Sequence, residues 1–258
     1  MDALQLLSQA LPSHAFGFML VVARVGSALL MGPGLGENDI PATVRAALAV
    51  VFSILIYPLL RTDLPSTPAT VAELVGLLVP EIVIGAWIGL MARIVTMAFA
   101  MAGGIISFMI GLSSVLQIDP SLGTQVPGLQ RLFSLAAIAL LFASGLYILP
   151  IQAIIGTYDL VPPGHVFDLG GATDLLTRVI STSFGLALRL AAPFIVLCIA
   201  WQAMMGFVSR LVPNIHTHVV SAPAQILGGL ALLGAGVTVM VGSWSAALSR
   251  ALSSLPGL

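Results

Sequence analysis

From Thr70 to Leu116 the chain is apolar almost without interruption, broken only by Glu73, Glu81 and Arg93. One helix over that run would extend about 70 Å, against a hydrocarbon core of about 30 Å. Such a run must fold back, tilt strongly or leave the lipid, and the expectation is two helices. Phe16–Met31, Pro41–Leu60, Leu132–Tyr158, Val179–Ser209 and Val219–Ser249 are further runs that approach or pass the length of a crossing. No run alternates with a period of two, and all exceed a strand length severalfold, so a β-barrel is excluded. The expected fold class is all-α, a membrane protein of helical hairpins with Pro- and Gly-broken helices.

Composition says what must cover these helices. Hydrophobic residues make up 59% and charged residues 7% of the 258, against about 45–50% and about 25% in a soluble domain. Lipid or another apolar partner has to replace water. All nine basic residues are Arg, and with ten acids the net charge is −1. No basic stripe can follow a phosphate backbone, so nucleic acid is excluded as a partner. Cys198, inside an apolar run, reads as a small inert hydrophobe. Met1 to Gln5 has no positive region and no small-residue cleavage site, so it does not read as a removable leader. Gly-, Pro- and Asp-rich segments separate the runs, at residues 32–39, 62–68, 119–123, 161–164 and 212–214. With six crossings, Arg45, Arg131 and Arg210 fall on one side and Arg61, Arg178 and Arg250 on the other. The positive-inside rule returns a tie, a sign that six simple spans do not describe the chain.

Arg24, Glu81, Arg93 and Arg189 lie inside apolar runs and need partners there. Glu81 and Arg93 are too far apart for an i,i+4 pair, so any pairing is between helices or between subunits. Either a proton or ion path or a structural ion pair fits. Pro80, Pro150, Pro193 and Pro223 also fall inside runs, where proline kinks or breaks a helix. Such breaks either aim helix ends at a site or merely bend packed helices. Gly85-x-x-x-Gly89 and Gly103-x-x-x-Ser107-x-x-x-Gly111 line up small residues for close helix approach.

Enzyme and cofactor motifs fail. Gly32-x-Gly34-x-Gly36 contains Pro33 and lacks a βαβ context, and no H-E-x-x-H, G-x-S-x-G or P-loop is present. His216-Thr217-His218 has no Cys or carboxylate close by in sequence, and His14 and His165 read as loop residues. The expectation is no catalytic residue, no metal and no cofactor. The segment from Ile110 to Pro127 turns small, polar and Pro-punctuated at the end of an apolar run. Its backbone must be covered by protein or face water. It can obstruct a pore, or it can be a surface turn.

Ala23-Arg24-Val25-Gly26, then Pro33-Gly34-Leu35-Gly36 and Ile40-Pro41-Ala42-Thr43-Val44-Arg45, resemble the opening of the FliR family, the R subunits of the flagellar type III export gate. The stretch Gly111 to Pro127 with Asp119-Pro120 resembles it too, as do Ser144-Gly145-Leu146-Tyr147, Gly206 to Asn214 and Ser221 to Ile226. The order is kept over nearly the whole chain. Tyr147 departs from a common His, and His216-Thr217-His218 replaces a more apolar stretch. R subunits of virulence injectisomes are similar.

The resemblance implies a structural, pore-forming subunit in the bacterial inner membrane at the flagellar basal body, and no enzyme. It implies FliP-type and FliQ-type partners in a helical ring, FlhB-type and FlhA-type export proteins, and unfolded export substrates in the lumen. Residues 1–178 would be P-like and 179–258 Q-like. The loop with Gly111, Ser113, Ser114, Asp119, Pro120, Gly123 and Pro127 would be the plug, and Arg210, Pro213 and Asn214 belong to a family loop motif. Arg24, Glu81, Arg93 and Arg189 would be interhelical or interfacial charges. A six-span secondary transporter of a small solute is the alternative; it calls for an internal repeat, and comparing the halves by eye reveals none.

Overall fold

The computed structural model describes residues 3–37, 40–60, 65–112, 128–165, 169–211 and 217–258. Ser113, Ser114, Asp119, Pro120, Gly123, Pro127, Pro213, Asn214 and His216 lie outside the described residues. Among the described residues these helices follow one another: α1 Ala3–Met31, α2 Ala42–Leu60, α3 Val71–Met109, α4 Gly128–Ala143, α5 Ile148–Leu160, α6 Leu169–Leu211 and α7 Thr217–Leu252. There is no strand among the described residues, so the all-helical expectation is borne out. Among the described residues, five helices are long and apolar enough to cross a membrane, and α4 with α5 forms a broken sixth candidate.

Within the third run, Val71–Met109 is one helix of 39 residues, and residues 113–116 of that run lie outside the described residues. Pro80 lies inside it without ending it, because a proline costs one backbone bond while its neighbours keep theirs. The start is set locally: Thr70 Oγ1 accepts the Glu73 N–H at 3.2 Å, and the Glu73 carboxylate accepts the Ala69 N–H at 2.8 Å. The end is set by Gly111, whose φ of +80° is the left-handed conformation that stops helices.

The chain breaks instead in the fourth run, between Ala143 and Ile148, where Gly145 has φ +74°. Pro150 does not make this break. It falls in the first turn of α5, where a missing N–H costs nothing. Pro193 and Pro223 likewise sit inside continuous α6 and α7. His14, expected in a loop, is in α1, because the helix runs on through Pro12. Its Nδ1 is 2.9 Å from the Tyr57 hydroxyl of α2.

The chain packs as two compact units. The first comprises Met1–Val95, Leu141–Val179 and Arg250–Leu258, the second Thr96–Leu140 and Ile180–Ser249. In the first, α1 and α2 run antiparallel, with Gly26 close to Ala49 at one end and Phe18 edge-on to Tyr57 at the other. The first part of α3 runs parallel to α1. In the second, Phe99 of α3 stacks on Phe133 of α4 at 4.6 Å and lies 5.0 Å from Trp244 of α7. Met109 of α3 meets Gln225 of α7, so α3 and α7 run antiparallel there.

Candidate functional site

In the first unit two charged side chains, one on α1 and one on α3, are wholly removed from solvent: Arg24 and Glu81 are both 0% exposed. Arg24 Nε donates to Glu81 Oε2 at 2.7 Å and Nη2 donates to Oε1 at 2.9 Å. This is the two-pronged geometry that the planar guanidinium favours. Its remaining N–H groups turn to the end of α5: Nη1 reaches the Thr157 carbonyl at 3.3 Å and the Val161 carbonyl at 3.0 Å, and Nη2 reaches Val161 at 3.0 Å. All five donors thus have acceptors, and a cation sits where the dipole of α5 is negative. The guanidinium carbon lies 4.1 Å above the Tyr158 ring. Glu81 Oε1 also accepts the Gly164 N–H at 3.3 Å. One buried pair therefore joins α1, α3, the end of α5 and the turn after it.

Glycine makes the approach possible. A Cβ on Gly85 would run into the Arg24 carbonyl and the Ser27 hydroxyl, and one on Gly89 into the Ala28 carbonyl. The Gly85-x-x-x-Gly89 stripe lies directly on the backbone of α1. In the second unit Gly103 lies under the Phe133 ring, and Ser107 is buried.

The other charges differ in kind. Arg93 bonds Glu37 in the connection after α1, Nη2 to Oε1 at 3.1 Å, with 27% and 13% of the side chains exposed. Arg189 is exposed on α6, and Arg210 is exposed in its last turn, a favourable end for a cation. Within the first unit Arg93 thus pairs with Glu37, and Glu81 with Arg24. Among the described residues, no group of three or more His, Cys, Asp and Glu could hold a metal.

Gly111 is the described member of the expected plug residues, and it stands beside an opening in the second unit. A cavity of about 580 Å³ is lined by Phe108 to Gly111 of α3 and the turn after it, Cys198, Gln202 and Ser209 of α6, and Ser221 and Gln225 of α7. The Gln225 amide donates to the Met109 carbonyl at 2.7 Å. Sequence reasoning did not single out Gln225. Its signal was faint, a neutral amide in an otherwise apolar stretch after Pro223.

Residues 15–251 match the family described as Bacterial export proteins, family 1. The chain belongs to this family. Among relatives, the flagellar biosynthetic protein FliR of Caulobacter vibrioides is 30% identical, covering 88% of this chain and 90% of its own length. FliR of Escherichia coli is 27% identical over 82% and 80%. The Yop proteins translocation protein T of Yersinia pestis is 25% identical over 85% and 82%. The family match takes in Arg24, Glu81, Arg93, Arg189, Arg210 and the whole segment from Gly111 to Pro127. As a family 1 export protein the chain is thus matched along both compact units, from Ala15 of α1 to Ala251 near the end of α7.

Proposed function

We propose that the chain is a structural, pore-forming subunit of the flagellar type III protein export gate, closing a ring of FliP-type and FliQ-type subunits in the bacterial inner membrane at the flagellar basal body. The observation that carries this reading is the family match from residue 15 to 251 on a chain whose helices outgrow a bilayer. With 39, 43 and 36 residues, α3, α6 and α7 extend well beyond the about 20 residues one crossing needs. Much of their surface is also uncovered: along Ser221–Leu252 of α7 most residues are exposed or half-buried within the chain. Neighbouring subunits beside lipid would cover it. Relatives named for flagellar biosynthesis favour the flagellar gate over a virulence system. Residues 1–178 take the P-like part and 179–258 the Q-like part of this reading, with FlhB-type and FlhA-type proteins completing the apparatus.

The gate carries out no bond chemistry. Export substrates pass unfolded, and the segment with Gly111, Ser113, Ser114, Asp119, Pro120, Gly123 and Pro127 closes the lumen at rest by filling it. Arg24, Glu81, Arg93 and Arg189 act as structural charges, and Arg210, Pro213 and Asn214 belong to a loop motif shared with the family. Co-expression with P and Q subunits should yield one complex of defined mass, and removing Ser113 to Gly123 should make the reconstituted complex leak ions. A monodisperse solitary chain in detergent overturns the assembly, and unchanged conductance overturns the plug.

A further inference from the structure

A cavity of about 210 Å³ lies in the first unit, walled by the end of α1 and the connection after it, by α2 and α3, and by the break between α4 and α5. It exceeds the about 150 Å³ that admits a molecule the size of benzene to an engineered apolar core. Among the described residues that line it, Tyr147 alone brings a polar side-chain atom. A hollow so apolar stays dry. Phe142 and Tyr147 on its wall are exposed, so it reaches the outer surface of the unit.

One end of this cavity stands beside an unused cation. Arg45, in the first turn of α2, is half-buried; its Nε is cut off from solvent and has no hydrogen-bond partner among the described residues. A buried donor without an acceptor is costly. The start of a helix favours an anion, so the dipole of α2 gives this cation no support. Glu37, in the connection before α2, is already taken by Arg93 at 3.1 Å. What Arg45 lacks is an anion.

Helix register relates Arg45 to the hollow. Gly26 of α1 meets Ala49 of the antiparallel α2, so Arg45, one turn earlier, stands level with the last turn of α1. Leu48 and Phe52 follow on the same face of α2 and line the cavity. They lie about 4.5 and about 10.5 Å further along the helix axis. Both α1 and α2 are long and apolar enough to cross a membrane, and Arg45 is near the end of each span. A basic residue there is at headgroup depth, and the cavity runs from it towards the middle of the spans.

We propose that this cavity holds one acyl chain of an anionic phospholipid whose phosphate is bound by Arg45. A guanidinium matches the oxygens of a phosphate in pairs. A free phosphate would leave the apolar hollow empty, and in a zwitterionic lipid the headgroup's own ammonium competes for the phosphate. The inference needs α1 and α2 to span a membrane and does not depend on the ring or on its closure.

The test places the whole gate complex, and separately the chain alone, in phosphatidylcholine vesicles containing phosphatidylglycerol with a photoactivatable diazirine in one acyl chain. Labelled residues are mapped by mass spectrometry, and Leu55, exposed on α2, reports ordinary lipid contact. Labelling of Phe52 relative to Leu55 should be about tenfold higher than with phosphatidylcholine carrying the same diazirine, the factor that one charge-assisted hydrogen bond supplies. Arg45→Gln should abolish that preference and leave Leu55 unchanged. Ile151→Trp, which fills the hollow, should lower labelling of Phe52 by both probes.

Equal labelling by the two probes in the wild type, or a preference that survives Arg45→Gln, overturns the role of Arg45; the wild-type comparison decides even if the variant does not fold. Phe52 labelled at the wild-type level in Ile151→Trp overturns the cavity as the seat of the chain. Phe52 labelled in the chain alone but not in the complex means that a neighbouring subunit fills the hollow, which overturns the lipid site in the gate. A complex that never forms counts against the gate, and the chain alone then decides the lipid site.

Discussion

The guanidinium of Arg24 and the carboxylate of Glu81 meet through two hydrogen bonds of 2.7 and 2.9 Å in a place with no solvent exposure. Burying two charges is costly, and their attraction repays it only when every donor is used. That condition is met, since the three contacts to Thr157 and Val161 take up the rest of the guanidinium. The pair has the geometry of a fastener between helices.

Removing one partner should therefore be far worse than removing both. Arg24→Met leaves the Glu81 charge buried, and we expect a loss of about 3–5 kcal/mol. Arg24→Met with Glu81→Leu should recover most of that loss. Reversible unfolding in mixed micelles, followed by tryptophan fluorescence, measures each variant. A double variant as weak as the single one would show that the carbonyl contacts at the end of α5 dominate instead.

Arg93 and Glu37 make a useful contrast, because the same chemical pair is 27% and 13% exposed. Water screens it, and Glu37→Gln should cost no more than about 1 kcal/mol. The same unfolding assay should also show its effect shrinking as salt is raised, whereas the Arg24 variants should be insensitive to salt.

The glycines of α3 separate close packing from simple flexibility. Gly85→Ala places a Cβ against the carbonyl of Arg24, and Gly76→Ala places one where nothing lies within 4 Å. We expect Gly85→Ala to cost about 1–3 kcal/mol or more, since backbone rather than a movable side chain must yield. Gly76→Ala should be neutral or stabilising by up to about 1 kcal/mol, the propensity difference in an open helical position. Helix association measured by unfolding of the two variants side by side gives the comparison.

Composition and run length made the helical class legible, because nothing but helices can satisfy so much backbone beneath so few charges. Length alone did not place the break in the third run: Val71–Met109 continues through Pro80 as one helix, and the stop comes at Gly111. His14 was misplaced for a related reason: Pro12 looked like a loop signal but is carried within α1. The need of Arg24 for a partner was legible from its position, while the choice of Glu81, 57 residues away, was not. Gln225 was missed because an uncharged amide carries no burial cost that hydropathy registers; its importance exists only where the Met109 carbonyl arrives beside it.

The break between α4 and α5 offers a test of backbone conformation by itself. Gly145 has φ +74° and open space where a side chain would stand, so a larger residue would meet strain but no clash. Its N–H closes the turn onto the Phe142 carbonyl at 3.2 Å, and the next turn begins with the Ile148 N–H on the Gly145 carbonyl at 3.1 Å. Gly145→Ala should cost about 1–2 kcal/mol, the penalty of the left-handed conformation for an L residue. Gly145→Asn should cost less, because its short polar side chain tolerates that region. Equal stability of both variants and the wild type in the unfolding assay would mean that the left-handed conformation of Gly145 is not what sets this break.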